Sequence, residues 1–200
     1  MSAVTLPVPF APNSCSLKLS VNQRVNASPF GGSEQAVDLL NDRWLMSLEL
    51  PAGYSAQGAA IEAFINAMRG QSNWVALYHF ARQVPRGTMR GSLTMSSAAA
   101  QGASALVVTG GAGQASTTLL AGDLIGVSGL LFMVASDCVA NGSGVITVPI
   151  VNRLRVALGS GLTVTWYRPT ALFRLVSTPV VEYAPGLSSG VSFDFAEYIP

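Results

Sequence analysis

The sequence predicts a mainly β fold with one flanking α-helix and a small β-barrel inserted into the first domain. Most apolar side chains recur at every second residue, which places them on one face of a strand. Only one stretch changes to the three- and four-residue spacing of an amphipathic helix. Residues 88–170 hold short apolar runs separated by turn residues, a pattern that is typical of small barrels.

The first predicted strands alternate between apolar and polar side chains. Leu17, Leu19 and Val21 share one face of the first strand, and residues 44–50 alternate in the same way before Pro51. Each of these strands should therefore have one face in the core and one face toward water.

Residues 55–69 form the predicted helix, with Ser55 as its N-cap and Gly70 as its left-handed C-terminal residue. Arg69 in the last turn suits the negative end of the helix dipole. Residues 73–80 then return to a strand that is apolar on both faces, so we expect it to be buried on both sides.

Five short strands are predicted in the middle of the chain, namely Ala105–Thr109, Leu124–Val127, Leu130–Ala135, Val145–Val148 and Leu162–Tyr167. Strand patterns resume at residues 171–177 and 190–198. We therefore predict two domains. Residues 1–87 and 171–200 form one discontinuous domain, and residues 88–170 form the inserted barrel.

Charged residues are scarce, and this limits the classes of function that the sequence allows. Asp, Glu, Lys and Arg make up 10% of the chain, against about 25% in ordinary soluble domains. The formal net charge of +1 gives no electrostatic footprint for nucleic acid, and no apolar run is long enough to span a membrane. The N-terminus also lacks the pattern of a signal peptide. Such a surface is expected to be covered by other copies or other chains.

Four features of the sequence are candidates for a catalytic or ligand-binding site. Residues 186–190 match G-x-S-x-G, but a strand pattern follows the serine where a nucleophile elbow needs a helix. His79 is the only histidine, Asp123 and Asp137 bracket the most apolar run, and the glycine-rich residues 110–113 lack a P-loop lysine. We predict a protein that is not an enzyme and holds no cofactor or metal. A cell-wall hydrolase using the serine and His79 is the most distant alternative.

Several short motifs occur in a familiar order. They are Gly32-Ser33-Glu34-Gln35, Arg43-Trp44, the helix end at residues 63–70, Pro85-Arg86-Gly87, Ala121-Gly122-Asp123-Leu124-Ile125 and Phe173-Arg174-Leu175. From about Leu17 to Tyr198 the chain resembles minor tail proteins of tailed bacteriophages, of the distal-tail or tail-tip adaptor type.

The resemblance implies a tail-tube-like β-sandwich with one flanking helix and an inserted small barrel. It implies a ring, often hexameric, that joins the tail tube to the hub and holds receptor-binding proteins. It places the protein in the virion tail, and in the host cytoplasm during assembly. The family has no catalytic residues to carry over, and this chain lacks the galectin-like appendage of many members.

A ring around passing DNA predicts acidic side chains toward its lumen, and Glu34, Asp38 and Asp42 are the candidates. Arg153 and Arg155, on one side of a strand-like segment, are candidates for binding a carboxylate of a neighbouring subunit, or for a solvated rim. The alternative function is a module that binds a glycan or protein of the host surface. Exposed aromatic side chains on one concave face would favour that module, and apolar patches on two opposed sides would favour the ring.

Overall fold

A computed structural model describes residues 2–27 and 31–199, and it shows a mainly β fold with a single α-helix in that part of the chain. A 3₁₀ helix spans Ala112–Gln114 and the α-helix, α1, spans Ser55–Met68. The strands are β1 (Ser14–Ser20), β2 (Gln23–Ala27), β3 (Glu34–Asp38), β4 (Arg43–Leu50), β5 (Gly53–Tyr54), β6 (Val75–Tyr78), β7 (Leu93–Met95), β8 (Ala105–Thr109), β9 (Thr118–Leu119), β10 (Leu124–Val127), β11 (Leu130–Met133), β12 (Cys138–Val139), β13 (Val145–Pro149), β14 (Thr163–Thr165), β15 (Thr170–Leu175), β16 (Tyr183–Ala184), β17 (Leu187–Ser188) and β18 (Val191–Glu197).

A five-stranded antiparallel sheet has the order β1-β4-β18-β15-β6. Strands β4 and β18 bury every second side chain, as the alternation predicted. In β4 the side chains of Trp44, Met46 and Leu48 are buried, whereas Ser47 and Glu49 lie on the other face. The sheet therefore has one core face and one face of mostly small and polar side chains.

The expectation that residues 73–80 are buried on both sides is wrong, because β6 lies at the edge of the sheet and exposes Ala76 on the face opposite Val75 and Leu77.

Helix α1 packs on the core face of this sheet and also against the small β16-β17-β5 sheet. Its Phe64 ring lies 6.1 Å from the ring of Phe193 in β18, measured between centroids. The ring of Phe10, from the segment before β1, lies 6.2 Å from both of these rings. The helix and the N-terminal segment thus fill the core together.

The five-stranded sheet is curled, because its two edge strands approach each other at one end. Cys15 of β1 and His79, directly after β6, lie on opposite edges, yet the Cys15 Sγ atom is 3.8 Å from His79 Nδ1. The edges meet there through side chains.

The predicted helix is confirmed to within one residue at its end, but the predicted N-cap is wrong. Tyr54 is the N-cap, with extended backbone, and Ser55 is already helical. At the other end Arg69 itself turns left-handed, with φ of 48°, and Gly70 follows with φ of 63°.

A six-stranded sheet has the order β11-β10-β14-β7-β8-β13. It closes on itself beyond its two end strands. The amide of Ala135 donates to Pro149 O at 2.8 Å, and the amide of Val151 donates to Met133 O at 2.9 Å. All five strands predicted in this part of the chain are present, and the three-residue β7 and the two-residue β9 and β12 were not predicted.

The two sheets draw on different parts of the chain. The five-stranded sheet uses strands between residues 14–78 and 170–197, and the six-stranded sheet uses strands between 93 and 165. Leu124 and Leu131 of the six-stranded sheet nevertheless pack in the hydrophobic cluster of the five-stranded sheet. The division into two domains at residues 87/88 and 170/171 stays a prediction.

Within the described ranges, no helix combines the length and the apolar character that crossing a bilayer requires.

Candidate functional site

Strands β2 and β3 form a two-stranded ribbon, in which residues 23–27 pair with residues 34–38, and it continues the β1–β4 pair beyond the five-stranded sheet. The amide of Leu39 donates to Asn22 O at 2.9 Å and links the two pairs. Every described residue of β2 and β3 is exposed, including Val25 and Val37. The strands alone make the β2–β3 ribbon roughly 15 Å long.

The three predicted lumen acids have different surroundings. Glu34 and Asp38 are exposed at the two ends of β3, and Asp38 lies 3.5 Å from Arg153 Nη1. Asp42 is buried, and its Oδ1 accepts the Asn22 amide at 3.0 Å. Asp42 therefore holds the base of the β2–β3 ribbon and does not share an exposed surface with the other two. The lumen-facing role of Glu34 and Asp38 stays a prediction.

Arg153 and Arg155 lie in an irregular segment, so the predicted strand-like segment is wrong. The Arg155 guanidinium binds both carboxylate oxygens of Glu197 and donates to Asp42 O at 2.9 Å. Both side chains of this pair are buried, and Glu197 Oε2 also accepts the Trp44 amide at 3.0 Å. Arg155 therefore serves the packing of its own chain. Arg153 is half exposed, and its contact with a neighbouring subunit stays a prediction.

Asp123 organises the entry of the chain into the six-stranded sheet. It is buried, and its carboxylate accepts the amides of Arg86 at 2.8 Å, Gly87 at 3.0 Å and Leu120 at 2.8 Å. Asp137, which is exposed, accepts the Ala121 amide in the same turn at 2.8 Å. These bonds give both aspartates a structural role.

The histidine and the G-x-S-x-G serine also have structural surroundings. His79 is buried, and its Nδ1 accepts the Arg82 amide at 3.1 Å. Burial and the nearby Arg82 charge lower the pKa of His79. Ser188 lies in β17 with its Oγ 3.4 Å from the carbonyl oxygens of Gly53 and Tyr54, and the next element is a strand. A nucleophile elbow lies between a strand and a helix, whereas Ser188 lies between two strands.

Cys15 and Cys138 are both free thiols. Burial raises the pKa of Cys15 and of Cys138. Residues 2–27 and 31–199 bring no three His, Cys, Asp or Glu side chains together in a way that could hold a metal ion.

A concave cleft opens where α1 begins, beside the β16-β17-β5 sheet. We call it the tyrosine cleft. Its volume is about 640 Å³, and it is lined by Ala52, Gly53, Tyr54, Gln57, Glu182, Tyr183, Ala184, Leu187, Ser188 and Ser189. The side chains of Tyr54 and Tyr183 are 72% and 47% exposed. This cleft was not predicted from the sequence. Two short segments could have suggested it, because each has a tyrosine next to turn residues.

A second cleft, of about 710 Å³, lies at the entry to the six-stranded sheet. Arg82 and Arg86 line it and donate to the carbonyl oxygens of Gly122 and Ala121. The guanidinium groups of this second cleft are therefore already bound to backbone carbonyl groups of the same chain.

Comparison of the chain with models of known protein families and with curated proteins finds no match.

Proposed function

We propose that the protein is a structural virion protein that forms a ring at the distal end of a phage tail. The observation that supports this most is the β2–β3 ribbon. An isolated two-stranded hairpin is only marginally stable in water, and its outer edges offer unpaired backbone groups to another chain. A strand of a neighbouring subunit at either edge of the ribbon would complete the pairing, and it would pack beside Val25 on one face and Val37 on the other.

The rest of the surface supports assembly as well. The outer face of the five-stranded sheet carries small side chains, among them Ser16, Ser47 and Ser192, which permit close approach of another backbone. The ribbon and this face are different surfaces of one chain. A contact between unlike surfaces is head-to-tail and closes into a ring when the rotation allows it.

The further parts of the proposal rest on the resemblance. The ring, with six copies as the expected number, would connect the tail tube to the hub or to receptor-binding proteins. Glu34 and Asp38 would face its lumen and repel the phosphates of passing DNA. The chain would be found in the virion tail, and in the host cytoplasm during assembly.

The test compares the full chain with a ribbon-less variant in which Asn-Gly replaces residues 23–38. Asn-Gly favours a two-residue hairpin turn, so β1 and β4 should stay paired. We expect rings of the full chain in light scattering and negative-stain images, and monomers of the variant. At concentrations too low for ring formation, both should have similar free energies of unfolding, because association would otherwise stabilise the full chain by mass action.

A pair of point variants refines this test. Val25→Ser with Val37→Ser should prevent assembly, whereas Val176→Ser, at an equally exposed valine outside the ribbon, should not. A full chain that stays monomeric at high concentration, or a ribbon-less variant that still forms rings, would contradict the proposal.

A second candidate function is a module that binds the host surface. It is favoured by the tyrosine cleft, because an exposed aromatic side chain, Tyr54, lies beside the exposed Leu187 at a concave surface. Binding of the ribbon-less monomer to whole cells of a susceptible host, lost on Tyr54→Ala, would support this candidate. Equal retention of both proteins on the cells would count against it.

A further inference from the structure

We propose that the tyrosine cleft is a binding site for a neutral saccharide. This goes beyond the ring, since the cleft and its lining residues exist in a single chain. It gives the ligand class of the second candidate function without depending on assembly.

The cleft offers an apolar row of side chains to a ligand. Tyr54 pairs with Leu187, and Leu187 pairs with Ala184, so one row runs across all three strands of the small sheet. All three residues are exposed. Exposed aromatic and aliphatic groups in a row can pack against the C–H face of a sugar ring, which is its apolar side.

The neighbouring row fixes the second tyrosine. Tyr183 donates from its hydroxyl to Glu62 Oε2 of α1 at 2.9 Å. Its Cε1 would lie 3.0 Å from a side chain added at Gly58, so the ring rests closely on the helix. Tyr183 therefore points toward α1, on the face of the small sheet opposite to Tyr54, and it fixes the sheet that carries the apolar row.

Polar groups that could bind a ligand also line the cleft that contains the apolar row. The Glu182 carboxylate is exposed and accepts no hydrogen bond within residues 2–27 and 31–199. Gln57 uses its Oε1 to accept the Tyr54 amide at 3.4 Å, which leaves its NH₂ group for a ligand. Sugar hydroxyls both donate and accept, so a carboxylate and an amide NH₂ group suit them.

Charge and size narrow the ligand class. No Arg or Lys lines the cleft, so it offers no cation to a phosphate or a carboxylate ligand. One exposed carboxylate is compatible with a neutral ligand. The volume of about 640 Å³ falls within the range of small-ligand sites.

The experiment uses the ribbon-less monomer described above, so failure of ring formation does not affect it. Three neutral sugars, maltotriose, N,N′,N″-triacetylchitotriose and galactobiose, are titrated into the millimolar range, and binding is followed by saturation-transfer NMR and calorimetry. We expect binding of at least one sugar. Tyr54→Ala should weaken that binding about fivefold to tenfold, as loss of one aromatic contact predicts, and Glu182→Gln should weaken it less.

Tyr167→Ala is the matched control, since Tyr167 is 49% exposed and lies outside the cleft. It should leave the affinity unchanged. If Tyr54→Ala fails to fold, Leu187→Ser removes the same apolar row. The proposal is wrong if none of the three sugars binds, or if binding survives loss of the row. It is also wrong if choline chloride, a probe for a cation–aromatic site, binds tighter than the sugars.

Discussion

The protein contains two curled sheets that are closed in different ways. The six-stranded sheet is closed by backbone hydrogen bonds around the Val134–Ile150 pair. The edges of the five-stranded sheet meet through side chains, where Cys15 approaches His79. Backbone closure uses up the donors and acceptors of a sheet edge, whereas contact through side chains leaves them available.

This difference suggests different roles for the six-stranded and the five-stranded sheets. The closed sheet has little backbone left to offer, so we expect it to be a self-contained unit. The five-stranded sheet ends at β1 on one side, and at its other edge residues 2–4 pair with the backbone only beside Trp74. It also carries the β2–β3 ribbon, and α1 on its core face borders the tyrosine cleft. We therefore expect partners to bind on its side of the molecule. The four predictions below test how each region is held, starting with the largest effect.

The largest effect should come from Glu197→Ala, because this residue ties the two regions together. Glu197 in β18 pairs with Arg155, from the segment after β13, and also accepts the Trp44 amide. Removing one partner of a buried ion pair leaves a buried charge without compensation. We expect a loss of about 3–5 kcal/mol in the free energy of unfolding, measured with urea.

The matched control for this variant is Asp38→Ala, which breaks the half-exposed pair with Arg153. It should cost about 1 kcal/mol or less. Similar losses in the two variants would show that the buried pair does not join the regions.

Asp123→Ala should have the next largest effect, because one carboxylate holds three backbone amides where the chain enters the closed sheet. Hydrogen bonds to a charged group contribute about 1.5–3 kcal/mol each, and water will compensate part of the loss. We expect a loss of about 3 kcal/mol in urea unfolding, and faster proteolysis after Arg86. The Asp137→Ala control, which removes one exposed bond, should lose less than about 1 kcal/mol.

Gly144→Ala tests the closed sheet alone. Gly144 has φ of 74°, and an added Cβ would lie 1.7 Å from Gly111 O, so the turn between β12 and β13 would have to move. We expect a loss of about 2–3 kcal/mol. Gly142→Ala, two residues earlier with nothing near its Cβ, should change the thermal midpoint little. Equal midpoints for both variants would contradict tight packing at this turn.

The sequence could predict helices and strands, but not the tertiary contacts between them. Periodicity identified α1 to within a residue at its end, and it identified β8 and β10 with their observed bounds, because local side-chain spacing determines both. The three residues of β7 are too few to show a period. The Arg155–Glu197 pair joins residues 42 apart, and the tyrosine cleft needs strands from two distant segments. Such contacts depend on the order of strands in the sheets, which periodicity does not contain.

The smallest effect should be a pH dependence at the side-chain closure of the five-stranded sheet. The pKa of His79 is lowered in the folded protein, mainly by burial and also by the charge of Arg82. The unfolded chain, with an ordinary histidine pKa of about 6.5, therefore binds the proton more readily. Stability from neutral His79 is present above about pH 6.5 and is lost as the pH falls toward the folded pKa.

Urea midpoints of the wild type and His79→Gln, compared at about pH 7.5 and about pH 5.5, measure this contribution. Glutamine can still accept the Arg82 amide through its oxygen, so the variant should keep the local bond and lose the titrating group. The wild type should lose more stability on acidification than the variant does. Since carboxylates titrate equally in both proteins, the difference between them isolates His79. Identical acid sensitivity would mean that protonation of His79 does not disturb the meeting of the two edges, and that the core around Phe10 and Phe193 holds the curl by itself.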